Sequence, residues 1–223
     1  MSVFNGIEIN ARVKEDAAAV EALRGLPTSV IGDVMGGRLI GTTALRLVNR
    51  SSASTCGNAF TVRVRAGDNL LIHKALGLLE PGDVLVVDGE GDVSRALVGE
   101  IMMTMARVRG AVSFVMDGAI RDVDAFEEHR FPCWARGVSL RGPYKEGPGS
   151  INVPVIIGGM LVQPGDVIVG DPDGIVAVPA ALAREVANKA REKVGQEQET
   201  IAAIRAGTYS AAWVEATLSQ KGA

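Results

Sequence analysis

Two largely apolar runs, Val84–Asp88 and Ala111–Asp117, limit most strongly what this chain can fold into. Each is short, lacks regular polar alternation and follows a glycine-containing turn signal. Runs of this kind are typical of strands that are buried on both faces. The segment between them, Ser94–Arg109, is predicted as a single helix.

Helices and strands alternate in the first half of the chain, whereas strands cluster later. Ala59–Arg65 alternates apolar with polar residues, which predicts a half-buried strand. Asp68 is positioned to cap the helix that follows it. The order of elements fits an α/β or an α+β fold and does not decide between them. Further helices are predicted at Ala11–Leu23, from Thr28 to Gly36, at Asn69–Leu79 and at Ala180–Ala206, and further strands at Val153–Ile157, Val167–Val169 and Ile175–Val178.

An internal echo links two segments, because Glu80–Asp88 and Gln163–Asp171 both place Pro-Gly-Asp before an apolar run. Either common turn chemistry or two equivalent strands of a pseudo-symmetric β-structure explains it. Nothing between the two segments resembles an interdomain linker. We therefore expect one domain over residues 1–223, with a C-terminal helical tail from about 180 to 223.

Charge and cysteine usage exclude several classes of protein. The net charge is −3 with no basic cluster, so a nucleic-acid-binding protein is disfavoured. No apolar run approaches the roughly 20 residues that a membrane helix needs. Cys56 and Cys133 form no CxxC pair, which indicates reduced, buried thiols and a cytoplasmic location.

The residues most suited to chemistry stand at the two ends of the predicted helix-then-strand unit. Gly99-Glu100 lies at one end and Arg121-Asp122 at the other. Two carboxylates and a guanidinium can hold a hard divalent cation beside an anionic oxo acid. Adjacent residues of a strand point to opposite faces, so Arg121 and Asp122 share a ligand only if the chain turns there. Asp117-Gly118 offers such a break; the alternative is that Asp122 caps a helix and Arg121 is a surface charge.

The sequence lacks the residue patterns of a zinc site, a serine hydrolase and a Schiff-base enzyme. No HxH, HExxH or Cys/His spacing supports a zinc site, and no Gly-x-Ser-x-Gly supports a serine hydrolase. A Schiff-base lysine needs burial, and Lys74, Lys145, Lys189 and Lys193 all lie in polar contexts. His73 is expected at the edge of the core or in an interface rather than as a base. Oxygen ligands favour Mg²⁺ or Mn²⁺.

Ala96–Glu100 and Met116–Asp122 together resemble the RraA-like family, which includes the class II 4-hydroxy-4-methyl-2-oxoglutarate (HMG) and 4-carboxy-4-hydroxy-2-oxoadipate (CHA) aldolases. The resemblance implies the swivelling β/β/α fold of that family. The chain departs from the family pattern at Ala125 and Val98, and these two departures put the identity of the substrate in doubt. The segments that follow the pattern are Ala66–Asp92, Ala96–Asp124, Gly147–Val155 and Pro164–Pro179.

The resemblance also implies roles for individual residues. Asp122 would ligate Mg²⁺ or Mn²⁺, and Arg121 would stabilise carboxylate or enolate oxygens. The backbone around Gly99, Glu100, Ile101 and Met102 would hold the substrate carboxylate. Glu100, and Glu197 or Glu199 of a neighbouring subunit, would contact the metal through water.

The implied function is retro-aldol cleavage of HMG or CHA with release of pyruvate, as in the degradation of aromatic compounds. Oxaloacetate decarboxylation would follow from the same enolate chemistry. The implied assembly is a homotrimer or a dimer of trimers in the cytoplasm. The alternative is a non-catalytic RraA-type regulator, which has the same fold and binds and inhibits RNase E.

Overall fold

Helices are interspersed among the strands as far as Glu128, and strands then dominate until the C-terminal helices. A computed structural model describes residues 6–14, 16–36, 41–42, 44–49 and 54–222. The helices are α1 (Ala17–Leu23), α2 (Thr28–Val34), α3 (Leu70–Leu76), α4 (Glu100–Val108), α5 (Val123–Glu128), α6 (Ala183–Arg205) and α7 (Ala212–Gln220). The strands are β1 (Ile7–Ile9), β2 (Gly41–Thr42), β3 (Arg46–Leu47), β4 (Thr55–Val64), β5 (Asp83–Asp88), β6 (Ala96–Val98), β7 (Ser113–Ile120), β8 (Cys133–Val138), β9 (Gly149–Ile151), β10 (Val155–Ile157), β11 (Met160–Val162), β12 (Val167–Asp171) and β13 (Gly174–Val178).

One mixed sheet dominates the described residues. Its main path runs β2-β13-β12-β4-β5-β7-β8-β3, and its central strands β4, β5, β7 and β8 are parallel. β6 lies parallel to the end of β7, and β9 is antiparallel to β4. Mixed α/β architecture is thereby confirmed.

Apolar side chains form three clusters around this sheet. The largest packs α3, α4 and α5 onto one face, with Phe114, Phe126 and Phe131 in edge contact. A second cluster packs α1, α2 and α6 on β12 and β13. The third surrounds the fully buried Trp134 and includes the β10–β11 hairpin. Aliphatic residues supply nearly all of this core, as the low aromatic content requires.

The helix predicted over Ser94–Arg109 is wrong in its first half. Ala96–Val98 instead forms β6, and the helix begins only at Glu100. The backbone of these residues pairs with the end of β7, with Ala96 opposite Ala119 and Val98 opposite Ile120. This long-range pairing overrides the local helical pattern, and it moves Glu100 to the first turn of α4.

Two other predictions need correction. The first helix begins at Ala17, because Asp16 Oδ1 accepts the Ala19 N–H at 2.9 Å and Arg12 is held away at Asp83 by bonds of 2.6 and 2.8 Å. The strand predicted as half-buried is covered on both faces as far as Val62, and its polar face reaches the surface only from Arg63 onward. The Thr61 hydroxyl, for example, is buried and donates to the Val153 carbonyl at 2.6 Å.

Sequence patterning missed several short strands, and it predicted the long C-terminal helix with nearly the observed ends. The strands β1, β2, β3, β8, β9 and β11, of two to six residues each, were not predicted. The C-terminal helix starts with a 3-10 turn, Ala180–Leu182, before α6. The other predicted elements are present with shifted ends.

The echo between the two Pro-Gly-Asp segments has a structural counterpart. Asp83 Oδ2 accepts the Glu80 N–H and Asp166 Oδ2 accepts the Gln163 N–H, both at 2.8 Å, so the two turns are closed in the same way. The strands that follow, β5 and β12, both pair with β4 but run in opposite directions.

Both cysteines are buried free thiols. Burial raises the pKa of Cys56 to about 11 and also raises that of Cys133. Neither thiol is therefore a nucleophile at neutral pH. Across the part of the chain that is described, no helix is both long and apolar enough to cross a membrane.

Candidate functional site

The two dipeptides singled out in the sequence meet where neighbouring parallel strands end. β6 leads through Gly99 into α4, and β7 leads through Arg121-Asp122 into α5. The Arg121 N–H donates to the Val98 carbonyl at 3.1 Å, which holds the two strand ends side by side. Ligands of sheets with parallel strands commonly bind beyond the carboxyl ends of the strands.

Asp122 has a left-handed backbone conformation, with φ 59° and ψ 44°. Aspartate is one of the few residues other than glycine that adopt it readily. The turn occurs at Asp122 itself and not at Asp117-Gly118, which remain within β7 beside an irregularity in its pairing with β8. As a result Arg121 and Asp122 both line one cavity, and Arg121 Nε lies 3.7 Å from Asp122 Oδ2.

The alternative role for Asp122, capping α5 with its side chain, is not observed. Its carboxylate makes no capping bond to α5. Instead, Asp122 Oδ2 accepts the Glu100 N–H at 3.0 Å, so it binds the first amide of the neighbouring helix. The side chains of Arg121 and Asp122 remain 44% and 42% exposed, which leaves them accessible to a ligand.

Gly99 permits this close approach. A Cβ atom at position 99 would overlap the Asp122 carboxylate and lie 3.0 Å from Arg121 Cγ. The backbone at Gly99 is extended, with φ −153°, so the requirement for glycine comes from space and not from backbone conformation.

The start of α4 presents backbone donors to the same place. The Met103 N–H bonds to the Gly99 carbonyl at 3.0 Å, and Asp122 binds the Glu100 N–H. Among the described residues, the Ile101 and Met102 amides have no acceptor, as expected for a first helical turn. Such amides favour an anion. Ile101 and Met102 line the cavity, whereas the exposed Glu100 side chain does not.

The cavity measures about 220 Å³ and brings together residues that are far apart in the sequence. Arg121 and Lys145 contribute positive charge, and Asp122 is the carboxylate of the lining. Sequence reasoning missed Asn69 and Lys145 as site residues, because only tertiary packing places them here. The lining consists of Asn69, His73, Ala96, Leu97, Val98, Gly99, Ile101, Met102, Arg121, Asp122, Pro143 and Lys145.

His73 lies at the edge of the core, half-buried in the cavity wall. Burial and the nearby charge of Lys145 lower its pKa. His73 is therefore neutral at pH 7, and Lys145 is the cation on this side of the cavity.

Asn69 is 2% exposed, and the two ends of its side-chain amide differ in their hydrogen bonding. Its Nδ2 donates to the Leu97 carbonyl at 2.9 Å and contacts Met102 Sδ at 3.4 Å. These bonds fix the orientation of the amide. Oδ1 has no hydrogen-bond partner in the structure. Buried acceptors are nearly always satisfied, so this oxygen is suited to a donor on a bound molecule or a water.

Within the described ranges, no group of three or more His, Cys, Asp or Glu side chains could hold a metal ion. Among the described residues that line the cavity, Asp122 is the single carboxylate. Glu197 lies on α6, which packs against α1 and α2, and its carboxylate is 3.6 Å from Lys193 Nζ. The roles of Glu197, Glu199 and the Glu100 carboxylate stay predictions.

Taken together, the site has two cations, one carboxylate, free helix-start amides and an unpaired amide oxygen around a small cavity. These are the features of a protein that binds a small anionic molecule.

The family model described as RraA-like, Aldolase/RraA, matches residues 28–177. The chain therefore belongs to the RraA-like family, and the resemblance seen in the sequence is confirmed. A Halalkalibacterium halodurans protein provisionally named 4-hydroxy-4-methyl-2-oxoglutarate aldolase is 38% identical over 185 residues, which cover 83% of this chain and 88% of the relative.

Solved structures agree on the fold. A Streptomyces coelicolor member of the RraA family of RNase ES inhibitors superposes with a TM-score of 0.77 at 25% identity, covering 84% of this chain and 98% of its own. The RNA-processing inhibitor RraA of Thermus thermophilus superposes with a TM-score of 0.61 at 29% identity, covering 69% and 92%.

Proposed function

We propose that this protein is a divalent-metal-dependent aldolase that cleaves a 4-hydroxy-2-oxo acid such as HMG or CHA and releases pyruvate. One observation carries the proposal: the left-handed turn at Asp122 brings its carboxylate and the Arg121 guanidinium to one cavity, beside the free amides of α4. The name of the Halalkalibacterium halodurans relative supports the same reaction.

The pyruvate half of the substrate fits the groups around α4. Its C1 carboxylate would accept the amides of Ile101 and Met102, where the partial positive charge of the helix start adds to the attraction. Arg121 would donate to the oxygen on C2. Its planar fork stays charged at every relevant pH and matches paired oxygens.

Asp122 suits a hard divalent cation. One of its oxygens is held by the Glu100 N–H, which fixes the orientation of the carboxylate. Mg²⁺ commonly takes one or two protein carboxylates and fills its other positions with water and substrate oxygens, so the single carboxylate is sufficient. When bound, the cation supplies a Lewis acid that polarises the 2-oxo group and stabilises enolate charge.

Cleavage breaks the bond between C3 and C4 of the substrate. The C4 hydroxyl gives its proton to a water that Glu100 holds, and the C3–C4 electron pair moves to C3. C4 becomes the carbonyl of one product, and the enolate takes a proton at C3 to give pyruvate. Arg121 stabilises the charge that develops on the enolate oxygen. HMG would give two pyruvates, and oxaloacetate would lose CO₂ through the same enolate.

A neighbouring subunit is part of the proposal, as a homotrimer or a dimer of trimers. The far half of α6 and the whole of α7 expose apolar side chains, including Ile201, Ile204 and Trp213. An apolar surface of this kind marks a protein interface more often than free solvent. Glu197 or Glu199 of the adjacent subunit would then complete the outer shell of the cation.

The second candidate is regulation of RNA processing. It is favoured by the structural likeness to RraA of Thermus thermophilus, whose name describes an RNA-processing inhibitor. In that case the protein would bind and inhibit RNase E without turning over a substrate.

Metal dependence is the first expected result. A coupled assay for pyruvate release from HMG, CHA and oxaloacetate should show activity with Mg²⁺ or Mn²⁺. EDTA should remove this activity and added cation should restore it, because the described residues offer oxygen ligands at Asp122 and no nitrogen or sulfur set.

Two outcomes would contradict the proposal. Full activity after exhaustive chelation, or inactivation by borohydride only when substrate is present, would indicate Schiff-base chemistry. Inhibition of RNase E at equal molar ratio, with no pyruvate released from any of the three acids, would favour the regulator.

Gly99→Ala tests the packing of the site. The added methyl would displace the Asp122 carboxylate, and a displacement of about 1 Å can cost roughly 10²-fold in rate. We therefore expect kcat/KM to fall by about 10²-fold. Gly195→Ala on α6 is the matched control, since its Cβ would meet no atom within 4 Å. Equal activity of the two variants would show that the contact of Gly99 with Asp122 is not needed.

A further inference from the structure

Lys145 lies in the cavity wall, although it belongs to the loop between β8 and β9. It is remote in sequence from the two dipeptides at the strand ends. Its side chain is exposed. No carboxylate within the described ranges forms an ion pair with it, whereas its neighbour Glu146 lies 3.4 Å from Arg65.

The backbone on both sides of Lys145 is anchored. The Tyr144 N–H donates to the Gly67 carbonyl at 2.8 Å, and the Tyr144 carbonyl accepts the Asn69 N–H at 3.0 Å. Beyond Lys145, the amides of Glu146 and Gly147 both donate to Asp68 Oδ2, at 2.8 and 3.0 Å. Lys145 therefore stands between two fixed residues and its Cα has a defined position.

Asp68 is the centre of this anchor, and it is fully buried. Burial alone would raise its pKa, but the amides of Glu146, Leu70 and Gly147, together with Arg65, outweigh burial and lower it. The carboxylate is therefore charged at neutral pH and binds the loop firmly. The Arg95 guanidinium also stacks 4.0 Å from the Tyr144 ring centre.

The two cations that line the cavity, Arg121 and Lys145, suit a ligand that is anionic at both ends. The α4 amides suffice for one carboxylate and Arg121 for the oxygen on C2, which leaves Lys145 as a second cation without a protein partner among the described residues. Asn69, whose Oδ1 has no partner, borders the same space. A lysine whose backbone is anchored in a cavity wall, and whose ammonium group has no ion-pair partner among the described residues, favours an anionic group on the bound molecule.

We propose that Lys145 binds the carboxylate at the C4 end of the substrate and thereby makes the site selective for dicarboxylic over monocarboxylic 4-hydroxy-2-oxo acids. This inference rests on the proposed aldolase function. Lys145 would then be a specificity-determining residue, whereas the sequence alone indicated only that it lies in a polar context.

The experiment compares Lys145→Met with wild type on two substrates that differ at that carboxylate. HMG carries it, and 4-hydroxy-2-oxopentanoate has the same reacting carbons without it. A hydrogen bond to a charged group lost in the variant should lower kcat/KM for HMG by about 10–100-fold. For 4-hydroxy-2-oxopentanoate we expect a change of less than about twofold. Lys145→Arg should recover part of the loss, since it keeps the charge.

Lys74→Met is the matched control, because Lys74 is an exposed lysine on α3 that does not line the cavity. It should leave both substrates unchanged. An equal loss on both substrates in Lys145→Met, or no loss on either, would overturn the proposal.

A binding measurement separates this inference from the aldolase proposal. Calorimetry with 2-oxoglutarate and with pyruvate, in the presence of Mg²⁺, needs no turnover. If wild type cleaves nothing but Lys145→Met binds 2-oxoglutarate about 10–100-fold more weakly and pyruvate equally well, the aldolase proposal fails and the role of Lys145 stands. Equal binding of 2-oxoglutarate by both proteins, or binding by neither, would overturn the role of Lys145.

Discussion

Arg121→Lys should lower kcat for pyruvate release by about 10²–10³-fold, a loss comparable to that of an oxyanion donor. Lysine keeps the positive charge but loses the planar fork, so it cannot present two N–H groups to paired oxygens. The side chain is 44% exposed and lies at the end of β7, so the substitution should leave the fold intact.

Circular dichroism and the thermal midpoint would check the fold, and single-turnover kinetics would locate the loss in the chemical step. Arg107→Lys, on the exposed part of α4 and outside the cavity lining, is the matched control. Turnover of Arg121→Lys near the wild-type rate would mean that Arg121 is only a surface charge.

Asp122→Ala should reduce cation affinity and activity by at least about 10²-fold, since even outer-shell partners of a metal contribute 10–100-fold. The double variant Glu197→Ala/Glu199→Ala should lose about tenfold or more, if those carboxylates reach the cation of a neighbouring subunit through water. Cation affinity from calorimetry and the rate of pyruvate release would measure both losses.

Co-expression of the two variants tests whether the site is shared. In a ring with heterologous interfaces, about half of the subunits supply an intact Asp122 and about half an intact tail, so about a quarter of the interfaces would combine both. Activity near one quarter of wild type is therefore expected. If the mixed oligomers assemble, as tagged copies can show, and their activity stays at the mean of the two parent variants, the tail does not complete the site of a neighbour.

The sequence was most informative where local pattern and tertiary structure agree. β5, β7 and the helices flanking them were predicted because buried parallel strands have continuous apolar runs. Ala96–Val98 was misjudged because three residues pair with a strand more than twenty positions away, and no local window contains that information. The same limit explains the missed short strands.

The residues of the candidate site also fall into two groups, those that the sequence indicates and those that only the structure reveals. Gly99, Arg121 and Asp122 were found because they belong to two short motifs, Gly99-Glu100 and Arg121-Asp122, that follow the pattern of the family. The sequence did not show how Arg121 and Asp122 could face one ligand, since the answer is a left-handed residue stabilised by an amide of another helix. Asn69 and Lys145 were missed because the Asp68 anchor, which holds their segments together, spans residues 68 to 147.

The close contact between Gly99 and Asp122 restricts which substitutions the site can accept during evolution. A single added methyl group has no room at Gly99, so positions 99 and 122 can change only together. One substitution at a time therefore cannot alter the cavity wall that the strand ends form. The wall formed by the β8–β9 loop has no such restriction, because the backbone around Lys145 is held by Asp68 and not by the Lys145 side chain. New ligand preferences should therefore arise on the loop, while the strand ends keep one unchanging chemistry.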